Sequence, residues 1–229
     1  MADRLDLPLT CPTLDDWERC YAGAPPTLNT LRRTFTVLTR WAFSSKTRND
    51  GFAEELGCLT WDDDPSKSQL KIGAASVLDP GDTEQVPGIL ISCGKEGVSY
   101  DRPGISSKGA ESPDTAAQYR NYIATAKVQF VCKAFDADVA CMMADYLVLF
   151  LSAIEPRLRE TFSWLLDYRP LNQTEPTLTQ KSQSDSTTKW YEAIVTMDIA
   201  YSYSVFVSRE SKRLKDFTIE PEVGSRINS

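Results

Sequence analysis

From Trp190 to Val207 the chain alternates without a break. Tyr191, Ala193, Val195, Met197, Ile199, Tyr201, Tyr203, Val205 and Val207 fall on one side, and Glu192, Thr196, Asp198, Ser202 and Ser204 mark a mixed opposite side. A period of two residues is the mark of a strand with one buried and one wetter face. Drawn out straight, this one spans roughly 60 Å at a rise of 3.3 Å per residue, beyond the common strand length. Either a bend divides it, or its end leaves the domain and supplements another chain. A long alternating edge offers unpaired backbone groups for that second purpose. Whatever the chain becomes, it is built on a sheet.

Other segments supply partners for that sheet. VPGILISCG, 86–94, reads as a strand through Ile89 to Cys93. In ATAKVQFVCKAF, Val128, Phe130, Cys132 and Ala134 face one way and Lys127, Gln129 and Lys133 the other, with only Val131 out of step. FSWLLDYRPL, 162–171, reads as a further strand ending at Pro170, and LNQTEPTLTQKSQSDSTT as a polar hinge or loop. Helices cover one face. TLDDWERCY, 13–21, is a short helix with Thr13 as cap and Asp16 completing a capping box. In 27–43, Leu28, Leu31, Phe35, Leu38 and Ala42 recur at three-and-four spacing, and Arg32, Arg33 and Arg40 lie mostly off that stripe as solvated surface.

The stretch 130–158 tests the membrane and metal readings. Its uninterrupted apolar run, Tyr146 to Ile154, is interrupted upstream by Asp145, whereas a spanning helix needs about 20 residues. Val139, Met142, Met143, Tyr146, Leu147, Phe150 and Ile154 line a helix that ends near Pro156. Asp136 and Asp138 stand where strand yields to helix, so capping accounts for at least one of them. Cys132, Cys141, Met142 and Met143 read as packing groups. The stretch is core.

The chain holds no histidine, which removes the usual general base, the commonest metal ligand and the histidine-dependent nucleophilic triads. Six cysteines at 11, 20, 58, 93, 132 and 141 form no CxxC pair and read as free thiols. MADRLDLPLTC carries Asp3, Arg4 and Asp6 and lacks an apolar signal core. The net charge of −7 sits mostly before Gln118, with 12 basic and 18 acidic residues there against 13 and 14 after it. That balance offers no broad counter-charge for a phosphate backbone. GKEG, 94–97, reads as a turn, because it lacks the upstream glycines and following hydroxyl of a nucleotide loop. Asp62, Asp63 and Asp64 are consecutive and do not naturally converge, and Glu54–Glu55 stand isolated. The densest basic segment is RESKRLKDF, with Arg209, Lys212, Arg213 and Lys215. It reads as a solvated tail or as a contact for an acidic partner or DNA. No catalytic, cofactor-binding or metal residue emerges.

The expectation is one α+β domain over 1–229, a largely antiparallel sheet covered by helices. Inserted loops fall at 44–85 and 94–118, an extended strand follows, and a tail occupies 209–229. The loops 94–118 and 170–189 suit ordering against another subunit.

In order and texture, the helix 27–43, the strand VPGILISCG, the unit ATAKVQFVCKAFDADVACMMADYLVLFLSAI, FSWLLDYRPL and the strand TKWYEAIVTMDIAYSYSVFVSRE resemble the tail-terminator or tail-completion proteins of tailed bacteriophages. The resemblance covers 27–43 and 86–208. It implies a structural virion protein without enzymatic activity or cofactor, assembled in the host cytoplasm. Its homo-oligomeric ring, commonly a hexamer, would cap the tail tube and join it to the head–tail connector. DNA would pass through without sequence-specific binding, and no membrane would be involved. Alternative readings are a small non-histidine enzyme or an unrelated homo-oligomeric binding protein.

Overall fold

The structure is a computed structural model, and it describes residues 14–21, 27–44, 56, 59–74, 86–100, 117–183, 186–208 and 217–220. Among the described residues, three helices, α1 (Leu14–Tyr21), α2 (Leu28–Ala42) and α3 (Ala137–Thr161), accompany seven strands. These are β1 (Lys71–Ala74), β2 (Gly88–Tyr100), β3 (Ala117–Ala134), β4 (Leu165–Gln173), β5 (Thr177–Gln183), β6 (Ser186–Ser208) and β7 (Phe217–Glu220). The fold is α+β, with one mixed sheet in the order β1-β2-β3-β6-β4, and β5 and β7 also paired to β6. Among the pairings of these seven strands β1–β2 is parallel and the other five are antiparallel.

The long alternating segment is one strand of 23 residues, and it is interior. Its first edge pairs with β3 from Ala134↔Tyr191 to Ala117↔Ser208. Its second edge is taken in turn by β5 (opposite residues 186–192), β4 (195–201) and β7 (204–207). The expectation that 190–208 forms a sheet edge is therefore corrected: short polar strands of the same chain pair with it.

Several expected loops are shorter than their sequence implied. The polar stretch after Pro170 is the end of β4 and the β5–β6 hairpin. β2 continues to Tyr100 and β3 starts at Ala117, so of the expected loop 94–118 only 101–116 lies outside the described residues. GKEG is a bulge inside β2 rather than a turn. Cys93 pairs with Val128 and Val98 with Ala126, five steps along β2 (93 to 98) against two along β3 (128 to 126). Within 44–85, β1 was not foreseen, because KIGA is too short to show a period. The tail 209–229 contains β7.

Alternation sets the core. Ala124, Ala126, Val128, Phe130, Cys132 and Ala134 of β3 and Ala193, Val195, Met197, Ile199 and Tyr201 of β6 are buried against α2 and α3. Val131, the residue out of step, lies on the opposite face in register with Leu90 of β2 and Ile194 of β6, so an apolar row crosses that face.

Thr27 caps α2, its hydroxyl accepting the Thr30 N–H at 3.1 Å. Leu31, Phe35, Leu38 and Ala42 are buried as the spacing predicts, whereas Leu28 is exposed. The buried arc is wider than that stripe and takes in Thr34, Thr36 and Thr39. Thr36 and Thr39 return their hydroxyls to the carbonyls of Arg32 and Phe35, which lets polar side chains go inside. Phe35 sets its edge on Phe130 (5.9 Å between ring centres) and stacks on Tyr168 at 6.1 Å, joining α2 to β3 and β4. Trp17 of α1 meets Phe162, which meets Trp164, closing the far end of the core.

Asp136 caps α3, accepting from the N–H groups of Asp138 (2.8 Å) and Val139 (3.4 Å). α3 does not stop at Pro156; it runs to Thr161 with Leu158 buried, losing only the hydrogen bond that proline cannot donate. Its core face is Ala140, Met143, Ala144, Leu147, Leu151, Ile154 and Leu158. Val139, Met142, Tyr146 and Phe150 of the expected stripe are only partly buried; Tyr146 packs on Phe43 and Phe150 on Trp41. The Asp136→Ala variant should lose about 1 kcal/mol of stability, the usual worth of an N-cap carboxylate. Urea unfolding measures it, and an unchanged midpoint would mean that the cap contributes nothing.

Candidate interaction surface

The face of the sheet opposite the described helices is organised in cross-strand rows. Lys133 stands opposite Glu192, Gln129 opposite Thr196 and Lys127 opposite Asp198; across β6, Asn172 and Arg169 of β4 continue the last two rows. Acidic and basic residues are interspersed on it: Lys71, Lys127, Lys133 and Arg169 share the face with Asp167, Glu192 and Asp198. The sequence placed Lys133 on a wet face, yet its side chain is 2% exposed. Its ammonium lies 3.2 Å from a Glu192 oxygen and 5.1 Å from the centre of the Trp190 ring. The Trp190 indole N–H donates to the same Glu192 oxygen at 2.7 Å. A buried ammonium demands such a partner, so this cluster is a clasp between β3 and the β5–β6 hairpin.

At each outer end of the main strand path an arginine takes one backbone carbonyl. Lys71 donates its N–H to the Pro87 carbonyl, so in the parallel ladder the backbone groups of Ile72 point away from β2. Arg40 takes that Ile72 carbonyl with two N–H groups (3.2 and 3.0 Å) while stacking on Trp61. Arg40 is thus no solvated residue. Burial lowers its pKa, opposed by the nearby Asp63. At the other end β4 skips register between Leu165 and Asp167, and Arg159 occupies the freed Leu166 carbonyl at 2.8 Å. An edge whose carbonyls are taken is a poor template for another strand. Contacts with other molecules fall more naturally on faces.

The outward side of α3 is such a face. By helical spacing it presents Asp138, Met142, Asp145, Leu149, Pro156 and Glu160. Leu149 is 56% exposed. Asp145 accepts from Gln173 of β4 at 2.6 Å, beside Cys141. By length and composition alone α3 is apolar enough to cross a membrane, while its inner side packs in the core.

The groups considered for chemistry do not converge. Asp62 and Asp64 accept backbone N–H groups two residues on, and Asp64 also holds the Ser66 hydroxyl and Lys67, which makes 62–67 a self-contained turn. No group of three or more metal-ligating side chains occurs among the described residues. Glu54, Glu55, Thr13, Cys11, Cys58 and the basic residues 209–215 lie outside them. Cys20, Cys93, Cys132 and Cys141 are free thiols. Burial pushes the Cys132 thiol far up, and burial followed by Asp145 raises Cys141, so neither supplies a thiolate nucleophile. Burial also raises the Tyr168 phenol, whose hydroxyl donates to the Leu151 carbonyl. No family model matches the chain, and a search of curated proteins finds no match either.

Proposed function

We propose that the chain is a structural subunit of the tailed-bacteriophage tail, a tail-terminator or tail-completion protein. Its copies close into a ring, a hexamer in the pattern of that family. The ring caps the tail tube and meets the head–tail connector in the neck of the virion, after assembly in the host cytoplasm. Its work is closure and docking, with no bond making, no cofactor and no membrane.

One observation carries the reading. β3 and β6 stay paired beyond the row Leu165–Tyr201–Ala124, where β4 begins, for the further residues Ala117–Ile123 against Ser202–Ser208. At the rise of a strand this arm is about 23 Å long. Among the described residues β7 flanks its tip, and no helix belongs to this part of the chain's order. An arm of this length is a means of reaching a neighbouring subunit. The basic residues of β3 and β4 on the face opposite the described helices stand beside acidic ones of β6 (Lys133 by Glu192, Lys127 and Arg169 by Asp198), which suits a wall past which DNA slides, since cations already paired gain little from counterion release.

Electron microscopy of the purified protein, with mass measurement to count subunits, tests this directly. The expected result is a closed ring that binds the end of a tail tube and, separately, connector protein. A monomer at high concentration that binds neither under assembly conditions removes the reading.

A further inference from the structure

We propose that the outward stripe of α3 is the seat for the β6–β7 end of a second copy of this chain, whose basic segment Arg209–Lys215 pairs with the acidic residues of the stripe. The inference rests on the self-assembly in the proposed function and is independent of the phage role.

The stripe calls for a cover. Leu149 is 56% exposed at the centre of the outward side, and Pro156 one heptad on is exposed as well. Met142, Leu149 and Pro156 repeat at seven-residue spacing along the outward side. Every charge on that side is acidic: Asp138, Asp145 and Glu160. Arg157 and Arg159 turn off it, to Asp15 and Glu18 on one flank and to Glu155 and Asp167 on the other. A complementary partner is therefore apolar and basic. The chain's own densest basic run, RESKRLKD, lies between SVFVS and FTI and carries four basic residues against Glu210 and Asp216, between two apolar stretches.

Geometry assigns this partner to another copy. Residues 209–216 connect Ser208 to Phe217, and Val207 pairs with Phe217, so both ends of the connection are anchored together. Eight residues between adjacent ends can reach at most about 14 Å, half their contour. From Ser208 back to Tyr201, level with the residues that follow α3, is about 23 Å along β6. The segment falls short of even the near end of its own α3, and Asp138 lies at the far end of a helix about 37 Å long. In a second copy placed head to tail, the basic tip reaches the stripe. Such a contact joins two different surfaces, and contacts of that kind close into rings or continue as stacks.

The test uses the full chain, with light-scattering mass read over a concentration series at low and high salt. Three surface variants are compared: Leu149→Lys, the pair Asp138→Lys with Glu160→Lys, and the triple Lys212→Glu, Arg213→Glu and Lys215→Glu. Melting curves verify that each is folded. Each variant alone is expected to raise the concentration of half-assembly about tenfold or more, and added salt to weaken the wild type. Mixing the stripe-reversed chain with the tip-reversed chain should restore co-assembly, which a merely destabilising substitution would not do. Wild-type oligomers that tolerate all three variants overturn the seat and leave the ring standing. Oligomers that obey the charge swap yet bind no tail tube uphold the seat and remove the phage role. A monomeric wild type overturns both. Binding of a monomeric wild type to phosphatidylcholine vesicles, lost in Leu149→Lys, overturns the proposal by assigning the stripe to lipid.

Discussion

Replacing Glu192 by alanine should destabilise the protein by about 3 kcal/mol, near the lower end for removing one partner of a buried ion pair. The cause is what remains behind. Lys133 is 2% exposed, and without Glu192 its buried ammonium loses a carboxylate 3.2 Å away; the indole N–H of Trp190 loses its acceptor as well. Glu192 retains 22% exposure, so some solvent reaches the gap and holds the loss to that end of the range. The double variant Lys133→Met with Glu192→Leu should recover most of the stability, because both charges leave together. Urea unfolding at one fixed protein concentration reads the difference. A Glu192→Ala variant within about 0.5 kcal/mol of wild type would show that the clasp holds nothing.

The Phe130→Ala variant should lose about 3–5 kcal/mol, the range for truncating a buried phenylalanine. Phe130 is fully buried at the middle of β3 and in register with Val195. The ring of Phe35 stands edge-on to it at 5.9 Å. The cavity therefore opens where α2 meets the centre of the sheet, and regular elements on both sides limit its collapse. Phe35→Ala should cost a similar amount, and the double variant less than the sum, with a coupling of about 1 kcal/mol from the lost ring pair. Strict additivity would mean that the two rings do not act together.

Legibility followed period and length. β6 was plain because its alternation is sustained, and the strand-to-helix switch at Asp136 because a cap stands between two clear periods. What surrounds a strand was less visible. β4, β5 and β7 pair with β6 through backbone groups that any residue possesses, so TLTQKSQ and the polar end of β4 looked like loop, and an interior strand looked like an edge. The displaced Val131 was a true signal read as noise: it belongs to the row Leu90–Val131–Ile194 on the second face. Arg40 and Arg159 stay on helix flanks in any wheel diagram; their roles depend on carbonyls brought close by the tertiary fold. Lys133 looked wet because its β-strand parity is right for that face, and burial there is decided by Trp190 and Glu192 from a strand far along the chain. The outward side of α3 was half visible, its apolar residues clear but its direction hidden until the core side was placed.

The interior position of β6 also governs the order in which the molecule can be made. All of its partners except β7 precede it in the chain, and β3 has β2 on one side while its other side waits for residues 191–208. During synthesis the stretch from Ala134 to Ser208 takes about 4–15 s at the usual elongation rates. Throughout that interval the nascent chain carries the half-sheet β1–β2–β3 with an uncovered strand, and β4 and β5 have nothing to pair with. Long-range pairing of this kind folds slowly, and an open strand is an invitation to mispairing. Ribosome-bound chains stopped before residue 191 should therefore be the ones that chaperones hold, and release should follow the emergence of β6.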